Sequence, residues 1–380
     1  MYNKTLVFTA ACIGMAFFGV TMLSLGPILG ALKGVEGVAV LSPLLTVGII
    51  LGTVVFGPVV DRFGYKWLLI IGAIFALAGI VGLALFREIG ILYTSITLLG
   101  FGGGILNGET NALVSDIYDD KRRGIMLSML GACYCIGALL WTLLCTFINY
   151  SYVLYGVAAV MAVAIIFFCS IAFPLAKPKE NVSTKQIIGL LKYPALIVLA
   201  LVLFFQSGFE GISGDFTVSF LEKNAQMESS SAIFSMTVFS IGMLLGRFAL
   251  SVLMARMHDL IVFFVYLSIA LVGTILLNFA GGDSAVLMAY VGMGLIGFGV
   301  GATYPVILNY LGAAFKQLSG SAFSIALFIA LFGGIVFKSI VAGGFESGSM
   351  AIFPILLIAA VVAMMLIAPF AVKLSQKMNK

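Results

Sequence analysis

Two apolar runs of about twenty residues, Leu41–Val60 and Trp67–Phe86, are separated only by Asp61-Arg62-Phe63-Gly64-Tyr65-Lys66. At about 1.5 Å of rise per residue, each run matches the apolar thickness of a bilayer, about 30 Å. Backbone polar groups find no partners in lipid except inside a helix or a closed barrel, so such a pair reads as a helical hairpin. The chain repeats this pattern from end to end. Spans are expected near 5–29, 39–60, 66–86, 90–117, 123–148, 152–174, 194–221, 231–254, 260–280, 284–311, 319–342 and 349–373. With 62% hydrophobic and 9% charged residues, the composition is that of a polytopic membrane protein and excludes a soluble domain. Lys4 followed by an apolar run has the start of a secretory signal, and Thr9-Ala10-Ala11-Cys12 loosely resembles a lipoprotein cleavage site. The run continues through Met15–Leu29, and the reading is a first span.

The first hairpin turn is chemically specific. Gly57 lets a neighbouring helix pack closely, and Gly64 permits a turn that other residues avoid. Asp61 can accept from the free N–H groups at a nearby helix start, with Arg62 and Lys66 expected to stay in water. The spacing Gly57-xxx-Asp61-Arg62-x-Gly64-x-Lys66 resembles the signature between the second and third helices of the major facilitator superfamily, with Tyr65 where that family usually has a base. The resemblance implies an all-α membrane fold, twelve transmembrane helices in two pseudo-symmetric six-helix bundles. It also implies that the acid latches the two halves in one access state. The start of the eleventh helix, Ser319–Ser321, is the expected partner of Asp61.

Charge and repetition fix the organisation. Sixteen of the twenty Lys and Arg residues fall on one set of span ends, and Lys33, Arg87, Lys223 and Lys338 fall on the other. That bias places both termini in the cytoplasm of a multi-pass protein of the cell inner membrane and points to no nucleic-acid partner. The polar stretch Lys177–Lys185 suggests a linker, giving bundles 1–174 and 194–380 joined by 175–193. Gly52-Thr53-xxx-Gly57-xxx-Asp61-Arg62 aligns with Gly246-Arg247-xxx-Ser251-xxx-Ala255-Arg256 at an offset of 194, and Gly100–Gly104 aligns with Gly297–Gly301 at 197. Two matches at nearly one offset argue for an internal duplication. Ala255 in the place of Asp61 implies an asymmetric latch.

Several chemistries are disfavoured. Cys12, Cys133, Cys135, Cys145 and Cys169 all fall inside spans, and no metal-ligand spacing involves His258, the single histidine. The cysteines are expected to act as small apolar residues, and no redox site, metal or cofactor is expected. The glycine runs lack the Gly-Lys-Ser/Thr ending of a phosphate loop, which argues against direct use of ATP. No converging catalytic groups suggest an enzyme, and the loops are too short for a receptor's sensing domain.

Function then rests on polar residues inside the spans, where they are costly. The fourth span carries Asn107, Glu109 and Asn111. The two asparagines share a helix face, and Glu109 points about 160° away from Asn107. An amide pair suits a ligand rich in hydroxyls. The seventh span carries Gln206, Glu210 and Asp215 among phenylalanines, with Gly208, Gly211 and Gly214 at every third residue. An acid beside an amide and aromatic rings has the makings of a sugar site. Arg247 lies about 13 Å inside its span, either as a charge partner or as a side chain snorkelling to the cytoplasmic edge. Gly208-x-Glu210-xxx-Gly214-x-Phe216, Asn111–Val114, Gly320-Ser321 and Gly333-Gly334 resemble patterns of the fucose–galactose–hexose symporter group. That group's fourth-helix acid falls at Asn107 here, two residues from Glu109, and the first span has no acid.

The expectation is a secondary transporter moving a sugar by alternating access with proton or sodium coupling, working as a monomer in the lipid bilayer. Candidate solute-binding residues are Asn107, Asn111, Gln206, Glu210 and Tyr304, expected to line one cavity. The candidate proton carriers are Glu109 and Glu210. Gly57, Asp61, Arg62, Gly64 and Lys66 form the expected latch. Efflux of drugs or metabolites is the alternative; Gly131–Ala138 lacks the proline usual in the fifth helix of exporters.

Overall fold

The computed structural model describes residues 2–25, 28, 37, 40–174 and 188–378, so most of the expected linker lies outside the described residues. Among the described residues all regular structure is helical. Twelve helices are long and apolar enough to cross a membrane: α1 Lys4–Leu23, α2 Leu41–Phe63, α3 Tyr65–Leu85, α4 Ile89–Ile117, α5 Arg123–Phe147, α6 Tyr150–Ser170, α7 Pro194–Asn224, α8 Ser229–Leu253, α9 Asp259–Asn278, α10 Ala285–Ala314, α11 Ser319–Glu346 and α12 Ile352–Met378. The last two run past their expected ends at 342 and 373. A helix that has crossed a membrane continues in water while its carbonyls find basic neighbours, and Lys377 lies in the last turn of α12.

Local chemistry sets the ends. The Asn3 side chain accepts from Thr5 and Leu6 N–H to start α1, and Asn149 and His258 do the same for α6 and α9. Gly64, at φ +82°, ends α2 and begins α3 in a single residue, a conformation that a side chain would strain. Pro194 begins α7, where its missing N–H costs nothing. α10 is broken between Val300 and Thr303. Pro305 lacks the N–H that would bond back to Gly301, which accounts for the break.

The chain forms two compact units. Unit 1 holds residues 1–119, 130–190 and 315–325; unit 2 holds 120–129, 191–314 and 326–380. The first turns of α5 thus belong to unit 2, and the first turns of α11 to unit 1. In unit 1, α2 and α4 cross backbone to backbone: a Cβ on Gly48 or Gly52 would collide with Thr97 O or Phe101 O, and one on Gly100 or Gly104 with Leu45 O or Ile49 O. Unit 2 repeats this crossing between α8 and α10, with Gly242 against Gly294 O, Gly246 against Phe298 O and Gly297 against Phe239 O. Removing a side chain at each crossing point lets the helices approach closely, the dominant source of attraction between helices in lipid.

Candidate functional site

Unit 2 gathers a polar cluster around α7. Gln206 and Glu210 are one helical turn apart and Ser207 lies between them, so the three point to adjoining faces. Gln206 is 0% exposed, and its Nε2 donates to Val300 O at 3.2 Å, at the break in α10. The break therefore tethers α10 to α7. It also brings Tyr304, one residue into the second half of α10, against Ser207 and Glu210.

Glu210 is half-buried one turn beyond Gln206, and the charges of Arg247 and Lys338 act on it. Arg247, from α8, is 6% exposed. It does not snorkel, because the acid beside it supplies the compensating charge that water would otherwise supply. Lys338 was expected at a span end. α11 runs on to Glu346, and Lys338, about 12 Å before that end by helical rise, is ion-paired with Asp215 at 2.7 Å. The structure thus brings together Gln206, Glu210, Tyr304 and Arg247, and adds Ser207, Asp215 and Lys338. The lysine had a readable signal, since it interrupts the apolar run Ile335–Phe337 just as Arg247 interrupts its own. The tie to Ser207 had none, because it depends on the α10 break.

In unit 1, Asn111 Nδ2 donates to Asn107 O at 2.8 Å and to Asn107 Oδ1 at 3.2 Å, so the pair is joined along one face of α4. Glu109 lies elsewhere. Gly102 meets Gly72 and Ala76 of α3, Ile105 meets Gly72, and Glu109 follows one turn later on this α3-facing side. It is 0% exposed, and among the described residues neither carboxyl oxygen has a hydrogen-bond partner. The asparagine pair and the acid therefore occupy different faces of α4, as helical spacing requires.

The signature turn also lies in unit 1. Asp61 is 5% exposed and accepts from Gly320 N at 3.3 Å, Ser321 N at 2.9 Å and Ser321 Oγ at 2.7 Å. These donors open α11, so the carboxylate occupies the positive end of a helix dipole. Gly57 makes room for them; a Cβ there would press on Ser321 Cα at 2.9 Å and on Gly320 O at 2.7 Å. Pro58 removes the N–H that Val54 O would accept, and Ser324 Oγ donates to Thr53 O at 2.6 Å and Val54 O at 3.3 Å. Tyr65 Oη and Ser319 Oγ both donate to Asp116.

Arg62 is exposed and stacks on Phe63. Lys66 is half-buried and caps a neighbouring helix. Its Nζ donates to Cys169 O at 2.8 Å and Ile171 O at 3.0 Å, closing the end of α6. Orphan carbonyls at a helix C-terminus are strong acceptors for a cation within reach.

Residues 5–338 match the family model described as Major Facilitator Superfamily. The fold is similar to that of the E. coli fucose:proton symporter FucP, with a TM-score of 0.78 at 15% identity over 96% of this chain and 98% of that one. A second structure of the transporter FucP, in the outward conformation, gives a TM-score of 0.80 at 15% identity over 96% and 98% of the two chains. The proton:xylose symporter XylE bound to 6-bromo-6-deoxy-D-glucose gives 0.76 at 14% identity over 97% and 96%. No curated protein matches the chain by sequence.

Proposed function

The chain belongs to the major facilitator superfamily, and from that premise we propose that it is a secondary transporter carrying a sugar by alternating access, coupled to protons. The observation that carries the reading is the cluster of Gln206, Ser207, Glu210, Arg247 and Tyr304 inside the apolar spans of unit 2. Polar groups at membrane depth are costly, and a set that combines an acid, a base, an amide and a phenol suits a ligand with several hydroxyls. FucP and XylE, both sugar:proton symporters by description, lend support through fold alone.

In this reading Glu210 accepts hydrogen bonds from solute hydroxyls, with Arg247 holding it in place. Gln206 positions α10 and Tyr304. Asn107 and Asn111 are the solute-binding pair of unit 1, and the bundles 1–174 and 194–380 are the bodies that move. Glu109 carries the proton: a bare carboxylate without partners is costly there, so its charge state changes only when the transport cycle opens its surroundings. Asp61 is the latch, releasing and recapturing the start of α11. In this reading the membrane is the cell membrane, and the excess of Lys and Arg on one set of span ends supports both termini being cytoplasmic.

Uptake of a panel of labelled sugars into vesicles, with imposed proton or sodium gradients, tests the whole reading. The expected result is accumulation of one sugar driven by the proton gradient. Glu109→Gln is expected to exchange sugar across the membrane without accumulating it, and Glu210→Gln to lose binding. Accumulation that survives Glu109→Gln, or that follows sodium alone without pH dependence, removes Glu109 from the mechanism.

A further inference from the structure

On the α1–α5 seam of unit 1, Cys12 and Cys133 lie side chain against side chain. The surrounding contacts fix the register independently. A Cβ on Gly137 would run into Ala16 O, and one on Gly19 into Tyr134 O and Ala138 N. Further along, Trp141 Nε1 donates to Leu23 O at 2.9 Å. Cys12, Ala16 and Leu23 on α1 therefore run alongside Cys133, Gly137 and Trp141 on α5, and the helices are parallel. Their backbones are in close contact one turn beyond the cysteines. This brings the two Cβ atoms toward the separation a disulfide spans, about 3.5–4.5 Å. Both thiols are partly exposed, and Cys135 is buried about 200° around the same helix from Cys133.

We propose that Cys12 and Cys133 form a redox-active dithiol site that closes to a disulfide between α1 and α5. Closure joins Sγ to Sγ. The two thiols give up two protons and two electrons, and an azo oxidant of the diamide class takes up both to become the hydrazine. The open dithiol also binds a trivalent arsenical, whose As=O oxygen leaves as water with both thiol protons as two As–S bonds form. The pair lies about 12–15 Å along its helices from Lys4 and Arg123 by helical rise, so small uncharged reagents reach it best.

The test treats the full chain in lipid vesicles with diamide or with phenylarsine oxide, followed by denaturation, alkylation and peptide mapping. Diamide is expected to withdraw Cys12 and Cys133 from alkylation together and to yield one peptide linking them within a single molecule, reversed by dithiothreitol. Phenylarsine oxide is expected to protect the same two. Cys135→Ser leaves both results unchanged, whereas Cys12→Ser or Cys133→Ser loses both. The oxidised protein is expected to melt at a higher temperature, since the bond closes a long loop. The wild-type map decides the matter even if a serine variant folds poorly. Independent alkylation of the two cysteines after both treatments, linkage to Cys135, or linkage only between molecules overturns the site.

Discussion

In unit 1, Ser324 donates to Thr53 O at 2.6 Å; in unit 2, Ser128 donates to Arg247 O at 2.6 Å. The serines are 196 residues apart and the carbonyls 194, within the repeat offsets read from the glycines. Around these twin contacts the two units diverge. Where Asp61 binds Gly320 and Ser321, unit 2 has Ala255 and, at the repeat positions, Gly124 and Ile125. Where Tyr65 donates to Asp116, unit 2 reverses the roles: Asn309 Nδ2 donates to Asp259 at 2.8 Å. Where Ser319 reaches Asp116, unit 2 has Arg123, paired with Asp120 at 2.8 Å. Contacts made through backbone survive in both copies, because they need only a small residue or a hydroxyl. The charged contact is kept in one copy, so the junction with Asp61 can carry a mutation-sensitive hold that its twin lacks.

The largest effect that would break this comparison is expected from Asp61→Asn. Hydrogen bonds to a charged group contribute about 1.5–3 kcal/mol each, and losing the charge weakens three at once. Turnover in vesicles should fall about tenfold or more while solute affinity stays nearly constant; a fall in affinity with unchanged turnover would end the latch assignment. The double substitution Ala255→Asp with Ile125→Ser would sharpen the comparison by giving unit 2 the missing contact. A second hold worth about 1 kcal/mol should slow turnover several-fold, measured in the same assay. If turnover is unaffected, the charge acts through more than its local contact.

Smaller effects concern the shared serines. Ser324→Ala and Ser128→Ala should each lower thermal stability by roughly 1 kcal/mol, the Ser324 variant more, because Pro58 leaves Val54 O relying on it as well. Equal losses would mean that the proline adds nothing. Tyr65→Phe should cost least, about 0.5–1 kcal/mol, since Ser319 still donates to Asp116. A melting curve of each variant in detergent decides the order.

The spans, the signature turn and the internal repeat were legible because each is local or periodic. Twenty apolar residues must span as a helix, and a glycine at a crossing leaves its mark at a fixed offset. Part of the site was legible for the same reason: Glu109, Glu210 and Arg247 interrupt apolar runs. The contact of Lys66 with α6 was not legible, because nothing near it in sequence reveals the end of that helix about a hundred residues away. The pairing of Lys338 with Asp215 was not legible, because the two residues sit on different helices more than a hundred residues apart.

By itself the sequence determined which segments cross the membrane, that the halves are duplicates, and that only one copy holds the acid, since bilayer thickness and repeat spacing act along the chain. Tertiary structure alone decided which side chains meet. It set Gln206 on the carbonyl at the α10 break, Arg247 beside Glu210 rather than in the water, and Glu109 fully buried with no hydrogen-bond partner among the described residues. Those outcomes depend on helix rotation and on distances between residues far apart in the chain, which periodicity constrains to a face but never assigns to a neighbour.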